Sequence, residues 1–119
     1  MDYLAKLQEA LDVLYNELSS KIMTYIISDE KPVLELTFVN GLSLYIRYND
    51  FDEYSYQLNF SSKKFDRIRY DNYDKHWDVS TSPHHLHKRG SKIAIESPMT
   101  GNPKEDMKKL LELIEIYIL

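Results

Sequence analysis

All four histidines of this chain, His76, His84, His85 and His87, lie within a twelve-residue window, in the run Lys75-His76-Trp77-Asp78-Val79-Ser80-Thr81-Ser82-Pro83-His84-His85-Leu86-His87-Lys88-Arg89-Gly90. Histidine is the side chain that takes and gives protons near neutral pH, and its neutral ring also binds metal ions. Arg67 and Arg69 lie just upstream, with the tetrad Arg69-Tyr70-Asp71-Asn72. This set could cleave RNA without a metal. The reaction needs a base for the 2′-hydroxyl proton, cations for the charge that builds on phosphorus and an acid for the leaving 5′-oxygen. His84, His85, His87 and His76 are the candidate proton carriers. Arg67, Arg69, Lys88 and Arg89 are the candidate phosphate contacts, and Tyr70 and Trp77 could stack on unpaired bases.

Two other readings use the same residues. His85 and His87 would project alike from an extended chain and could grip one metal ion, with His76, Asp71 or Asp78 as a third ligand. No second metal motif such as H-E-x-x-H accompanies them. In the plainest reading, His76 and Trp77 pack under a loop and the Pro-His-His segment is a solvated turn.

Charge is spread unevenly. The chain carries a net charge of -4, yet the stretch from Ser62 to Gly90 has seven Lys/Arg against four Asp, a local +3, which leaves -7 on the remainder. A basic segment rich in His, Tyr and Trp can attract a phosphate backbone even on an acidic domain. With 119 residues and no cysteine, disulfide frameworks and thiolate metal sites are ruled out. The length fits one domain over residues 1–119. The first twenty residues lack the pattern of a secretion signal, and no apolar run reaches membrane-spanning length. The expectation is a soluble, cytoplasmic protein with no membrane partner.

The elements that must position these residues follow from periodicity. Leu4, Leu7, Leu11, Leu14 and Leu18 mark one face of a helix over about Asp2 to Ser19. Lys21 to Ser28 reads as a strand, and Asp29-Glu30-Lys31-Pro32 as a turn. Leu34, Leu36 and Phe38, then Leu42, Leu44 and Ile46, alternate with polar residues on either side of Asn40-Gly41, a strong hairpin signal. Tyr54 to Ser61 alternates again, with Lys64 to Tyr70 as its partner across Ser61-Ser62-Lys63. In that partner Phe65, Arg67 and Arg69 share one face, and Asp66, Ile68 and Tyr70 the other.

Asp71 to Gly90 shows neither period and reads as a long functional loop. A short strand at Ser91 to Glu96 follows. Asn102 then serves as N-cap, Pro103 as first helical residue, and Glu105 completes what resembles a capping box. Met107, Leu110, Leu111, Ile114 and Ile118 form the buried stripe of the last helix. The order is that of an α+β domain: an antiparallel sheet of five or six strands with an N-terminal and a C-terminal helix on one face.

The segment Phe65-Asp66-Arg67-Ile68-Arg69-Tyr70-Asp71-Asn72, with His76 and then Ser82-Pro83-His84-His85-Leu86-His87 after it, resembles the TumE-like toxin family of prokaryotic toxin-antitoxin systems. Those proteins share an Arg-Tyr-Asp-Asn tetrad ending a strand, a histidine soon after, and a Pro-His-His-x-His motif before the last strand and helix. The resemblance implies a toxin restrained by a cognate antitoxin and active on RNA or the ribosome. It singles out Arg69, Tyr70, Asp71, Asn72, His84, His85 and His87. The chain departs from the family pattern at Tyr73-Asp74-Lys75-His76, where one histidine stands in place of two, and at Tyr54-Ser55-Tyr56, where further basic residues are usual.

The leading expectation is therefore a toxin that acts as a metal-independent ribonuclease and needs no cofactor. His84, His85 or His87 would be its acid and base, with Arg67, Arg69 and Lys88 on the phosphate. Asp71 would orient a histidine or Arg69, and Asn72 would cap the turn that delivers the loop. The alternatives are a non-catalytic domain that binds nucleic acid or protein and, third, a metal-binding protein; a homodimer is compatible with each.

Overall fold

The computed structural model describes residues 2–28 and 30–118. Helix α1 spans Tyr3–Leu18 and α2 spans Pro103–Tyr117; between them run seven strands, β1 (Ile22–Ile27), β2 (Val33–Phe38), β3 (Ser43–Tyr48), β4 (Tyr54–Asn59), β5 (Arg67–Asp71), β6 (His85–His87) and β7 (Ala94–Glu96). They form one antiparallel sheet in sequence order, a meander in which each strand pairs with the next. The α+β architecture is the expected one, with one more strand than expected.

Each element follows from local chemistry. Asp2 caps α1 by accepting from the Ala5 backbone N–H at 2.8 Å. The leucine face, Leu7, Leu11, Leu14 and Leu18, is buried together with Ala10. Asn40-Gly41 turns the chain with Gly41 at φ +91°, a conformation glycine adopts without strain. Asn102 Oδ1 accepts from the Glu105 N–H at 3.1 Å and Pro103 opens α2. Half of the capping box is absent: the Asn102 N–H goes to Thr100 Oγ1 at 3.2 Å, not to Glu105. Around the expected turn at 29–32, Ser28 Oγ accepts from the N–H groups of Glu30 and Lys31; Asp29 lies outside the described residues.

Alternation sorts the sheet into two faces. On one, Leu34, Leu36, Phe38, Leu44, Ile46, Tyr56, Leu58, Ile68 and Tyr70 are buried with the helix stripes Leu7/Leu14 and Met107/Leu110/Ile114. Helices α1 and α2 pack on one another and α1 lies against β1 to β3. Each fully buried aliphatic side chain there contributes roughly 1.5–3 kcal/mol. Polar groups inside this core are satisfied: Tyr48 and Tyr56 share a hydrogen bond at 2.9 Å, and the Tyr56 hydroxyl donates to Asp106 at 2.6 Å.

The other face has no helix on it. The register places Ile26, Glu35, Tyr45, Gln57, Arg69 and His87 in one row across β1 to β6, and Val33, Arg47, Ser55, Asp71, His85 and Glu96 in the next, across β2 to β7. The histidine segment thus joins the open face as a strand. This corrects the reading of residues 71–90 as a loop without periodicity: a strand of only three residues, His85–His87, is too short to show one. The preceding strand begins at Arg67, not Lys64. Asp66 closes a turn in which its N–H bonds the Lys63 carbonyl and its carbonyl accepts from the Phe60 N–H.

Candidate functional site

Pairing of β5 with β6 sets Arg69 opposite His87 and Asp71 opposite His85. Because side chains alternate along a strand, Arg67, Arg69, Asp71, His85 and His87 all stand on the open face. Trp77 covers them: its ring centroid lies 5.9 Å from that of His85 and 5.4 Å from that of His87. The His85 and His87 rings meet edge to face at 4.9 Å.

Asp71 is the hub. Its side chain is 4 % exposed, and Oδ2 accepts from Arg69 Nε at 2.7 Å while Oδ1 accepts from the Tyr73 backbone N–H at 3.0 Å. His85 Nε2 approaches Oδ1 at 2.9 Å, and His85 Nδ1 lies 2.9 Å from the Pro83 carbonyl oxygen. Both His85 nitrogens thus face oxygen atoms of the fold. His85, 1 % exposed, is buried between them, and neither nitrogen is open to a ligand.

His87 differs. Its Nδ1–H donates to the Lys92 carbonyl at 3.2 Å, while Nε2 makes no hydrogen bond with any described residue. Burial pushes the His87 pKa down; Asp71 opposes this, and the positive neighbours His85 and Arg67 add to it, with the Lys92 carbonyl opposing. The ring therefore favours its neutral form, with the free Nε2 a base. It borders a cleft of about 520 Å³ whose walls include Lys64, Arg67, Arg69, Lys92, Gln57, Asp74 and Trp77. Lys64, Arg67 and Lys92 stand around the Phe65 ring at 5.4, 5.4 and 5.6 Å. Trp77 Nε1 is buried without a hydrogen-bond partner, a donor left for a ligand.

The remaining candidates are dispersed. His84 is on the helix side, stacked on Tyr54 with ring centroids 5.7 Å apart. Burial, with Asp106 and Asp71 nearby, pushes the Tyr54 hydroxyl pKa upward, and that hydroxyl shares a hydrogen bond with His84 Nδ1 at 2.8 Å. His76 is exposed and rests on Trp77 at 4.8 Å, outside the cleft. Tyr70, Lys88 and Arg89 line a separate groove of about 360 Å³ between the sheet and α2. Tyr70 faces the core because it alternates with Arg69. Arg89 donates to Asp66 at 2.6 Å and lies 3.9 Å from the Phe60 ring centroid.

Arg67 is buried and is partly committed to the fold: Nη1 donates to the Lys88 carbonyl at 3.1 Å and Nη2 to the Ser91 carbonyl at 2.9 Å. It ties the β6–β7 connection to β5 and brings its charge to the cleft floor. Asn72 joins the start of β4 to the end of β5, accepting from the Tyr54 N–H at 2.9 Å and donating to the Asp52 carbonyl at 2.8 Å. Sequence reasoning missed Gln57, Lys64, Asp74 and Lys92. Gln57 was legible in principle, since the alternation of β4 puts it on the polar face beside Arg69.

Asp71, His85 and His87 are also the residues that could hold a metal, their donor atoms lying within 4.8 Å of one another. Their nearest charged company is cationic. The family model described as "Toxin TumE" matches residues 12–118. No curated protein and no solved structure matches the chain.

Proposed function

Since the chain belongs to the TumE toxin family, with a toxin's role and an antitoxin as the partner that membership suggests, we propose that it acts by cleaving RNA at the cleft beside His87. The observation that carries this reading is the unbonded Nε2 of a ring biased toward neutrality, set among Lys64, Arg67, Arg69 and Lys92. A phosphodiester fits there because the cations offset its charge, and the base stands beside it.

In the proposed step, His87 Nε2 takes the proton of the ribose 2′-hydroxyl as that oxygen forms a bond to phosphorus. The charge gathering on the phosphoryl oxygens is met by Arg69 and by the charge of Arg67 beneath it. The bond from phosphorus to the 5′-oxygen breaks, and Lys92 or Lys64, both cleft ammonium groups, supplies the leaving oxygen's proton. The products carry a 2′,3′-cyclic phosphate and a 5′-hydroxyl. His84, on the far side of the sheet, has no part in this step.

The test is incubation of purified protein with single-stranded RNA in excess chelator, with the new ends identified. Cleavage to cyclic-phosphate ends that His87→Ala abolishes is the expected result. Uncleaved RNA that is bound in a salt-sensitive way would leave a binding protein only. A second reading has one specific observation in its favour. Both His85 and His87 turn Nδ1 to a backbone carbonyl, the arrangement that commonly orients Nε2 toward a metal, here with Asp71 as third ligand. Cleavage lost in chelator and restored by a divalent transition metal would select that reading.

A further inference from the structure

The cleft does not end at Arg69. Arg69 and Gln57 also form one wall of an adjoining groove of about 170 Å³ that crosses β2 to β5 on the open face, with Tyr45, Arg47 and Tyr73 around it. We propose that this groove is a subsite for a single unpaired nucleobase of the RNA whose phosphate lies beside His87. The proposal rests on the RNA reading above and adds to it what the second groove recognises.

Three observations carry it. First, the two hollows share Gln57 and Arg69, so a nucleotide can reach from one into the other, with the Arg69 guanidinium at the junction. Second, the groove is built onto the catalytic hub: the Tyr73 N–H is held by the same Asp71 carboxylate that holds His85 and Arg69. A ring seated against Tyr73 is thus indexed to the position of His87.

Third, its walls suit a flat polar ring better than another phosphate. Tyr45 is 41 % exposed on a strand whose inward neighbours are fully buried. Arg47, also exposed, makes no hydrogen bond or ion pair with any described residue. Aromatic rings and guanidinium planes are the surfaces on which single-stranded bases stack. Glu35 stands beside Tyr45 and Glu53 near Tyr73, close enough to push both hydroxyl pKa values up in addition to the effect of burial. These carboxylates lie beside the groove without lining it, and their charge disfavours a second phosphate there. A paired base cannot enter, so the substrate is single-stranded.

The experiment uses the full chain carrying His87→Ala, which binds without cutting, and two fluorescein-labelled oligoribonucleotides of equal length, one of them abasic at its central positions. The base-bearing RNA should bind about tenfold or more tightly than the abasic one. Adding Tyr45→Ala should remove most of that difference while leaving abasic binding unchanged, and Tyr45→Phe should restore it. Equal affinity for the two RNAs, or a Tyr45→Ala protein that still distinguishes them, overturns the subsite and leaves the cleavage reading standing. No salt-sensitive binding of either RNA overturns the cleavage reading and the subsite with it.

Discussion

Among the described residues two carboxylates are buried, and their company differs. Asp106 is fully buried in the first turn of α2 and accepts from uncharged donors: the Tyr56 hydroxyl at 2.6 Å, the Gly101 N–H at 2.7 Å and the Thr100 N–H at 2.9 Å. The partial positive charge of the helix start adds to this. Asp71 is held by the Arg69 guanidinium and faces the ring of His85, and it stands beside an open cleft. The first arrangement locks loop, helix and sheet together. The second lies beside a histidine nitrogen that makes no hydrogen bond with any described residue, in a cleft bordered by Lys64, Arg67, Arg69 and Lys92. Burial of a charge is common to both; what its partners can still do separates structure from chemistry.

The strongest way to break this contrast is to remove His87, whose Nε2 makes no hydrogen bond with any described residue. His87→Ala should lower RNA cleavage by about 10²- to 10⁴-fold, the usual worth of a general base. Growth arrest on expression should be relieved as well, with the thermal midpoint nearly unchanged. Toxicity and cleavage that persist in a His87→Ala protein would remove the ring from the mechanism.

Exchange of the carboxylates themselves comes next. Asp71→Asn breaks the ion pair with Arg69 in its buried setting, at a cost of roughly 3 kcal/mol. Cleavage per folded molecule should drop with it, because Arg69, His85 and Tyr73 lose their common anchor. Asp106→Asn should cost about 1–3 kcal/mol, since its amide NH2 must face the N–H of either Thr100 or Gly101, which bond to different oxygens of Asp106. Denaturant unfolding read beside cleavage per folded molecule separates the two: the Asp106 variant should be less stable yet equally active. Lost activity in that variant would dissolve the contrast.

Much of this arrangement was legible in the sequence, for identifiable reasons. Leu7 to Leu18, the Asn40-Gly41 hairpin and the Asn102-Pro103 helix start carry strong local signals, and each forms as expected. The sheet in sequence order also kept strand neighbours simple. What could not be read was the sorting of the basic and histidine residues by face. That depends on β6, whose three residues reveal their alternation only through the pairing of Arg69 with His87. Hence His84, Lys88 and Arg89, adjacent in sequence to His85 and His87, lie away from the cleft, while the distant Gln57 and Lys92 border it. The charge surplus of the segment points to a region and cannot tell its two sides apart.

The contrast also has a pH signature. On the Asp106 side, burial first, then Tyr48 and Asp106 itself, push the Tyr56 hydroxyl pKa far up, so it stays protonated through the neutral range. On the Asp71 side His87 titrates, with its pKa held below the ordinary 6.5. The charged and titratable groups facing it are Asp71, His85, Arg67, Arg69, Lys64, Lys92 and Asp74. In the proposed step the neutral ring is the base, so cleavage should fall about tenfold per pH unit on the acid limb, with that limb below 6.5. The same group's contribution to stability has the matching sign. It is full above the unfolded value and is lost as pH falls from there through the lower folded value. An acid limb in the pH–rate profile above 6.5 would contradict the assignment.

The smallest effect is the most specific check that the Asp106 side is structural. Asn102 caps the helix that carries Asp106, accepting from the Glu105 N–H, and is itself exposed. Asn102→Ala leaves that donor to water and should cost about 1 kcal/mol. Because the Asp106 bonds to Thr100, Gly101 and Tyr56 do not pass through the Asn102 side chain, the loss should appear in unfolding alone. The cleavage rate and its pH profile should match those of the unaltered protein. A shifted profile would mean that the start of α2 communicates with His87, for instance through the Tyr54–His84 hydrogen bond.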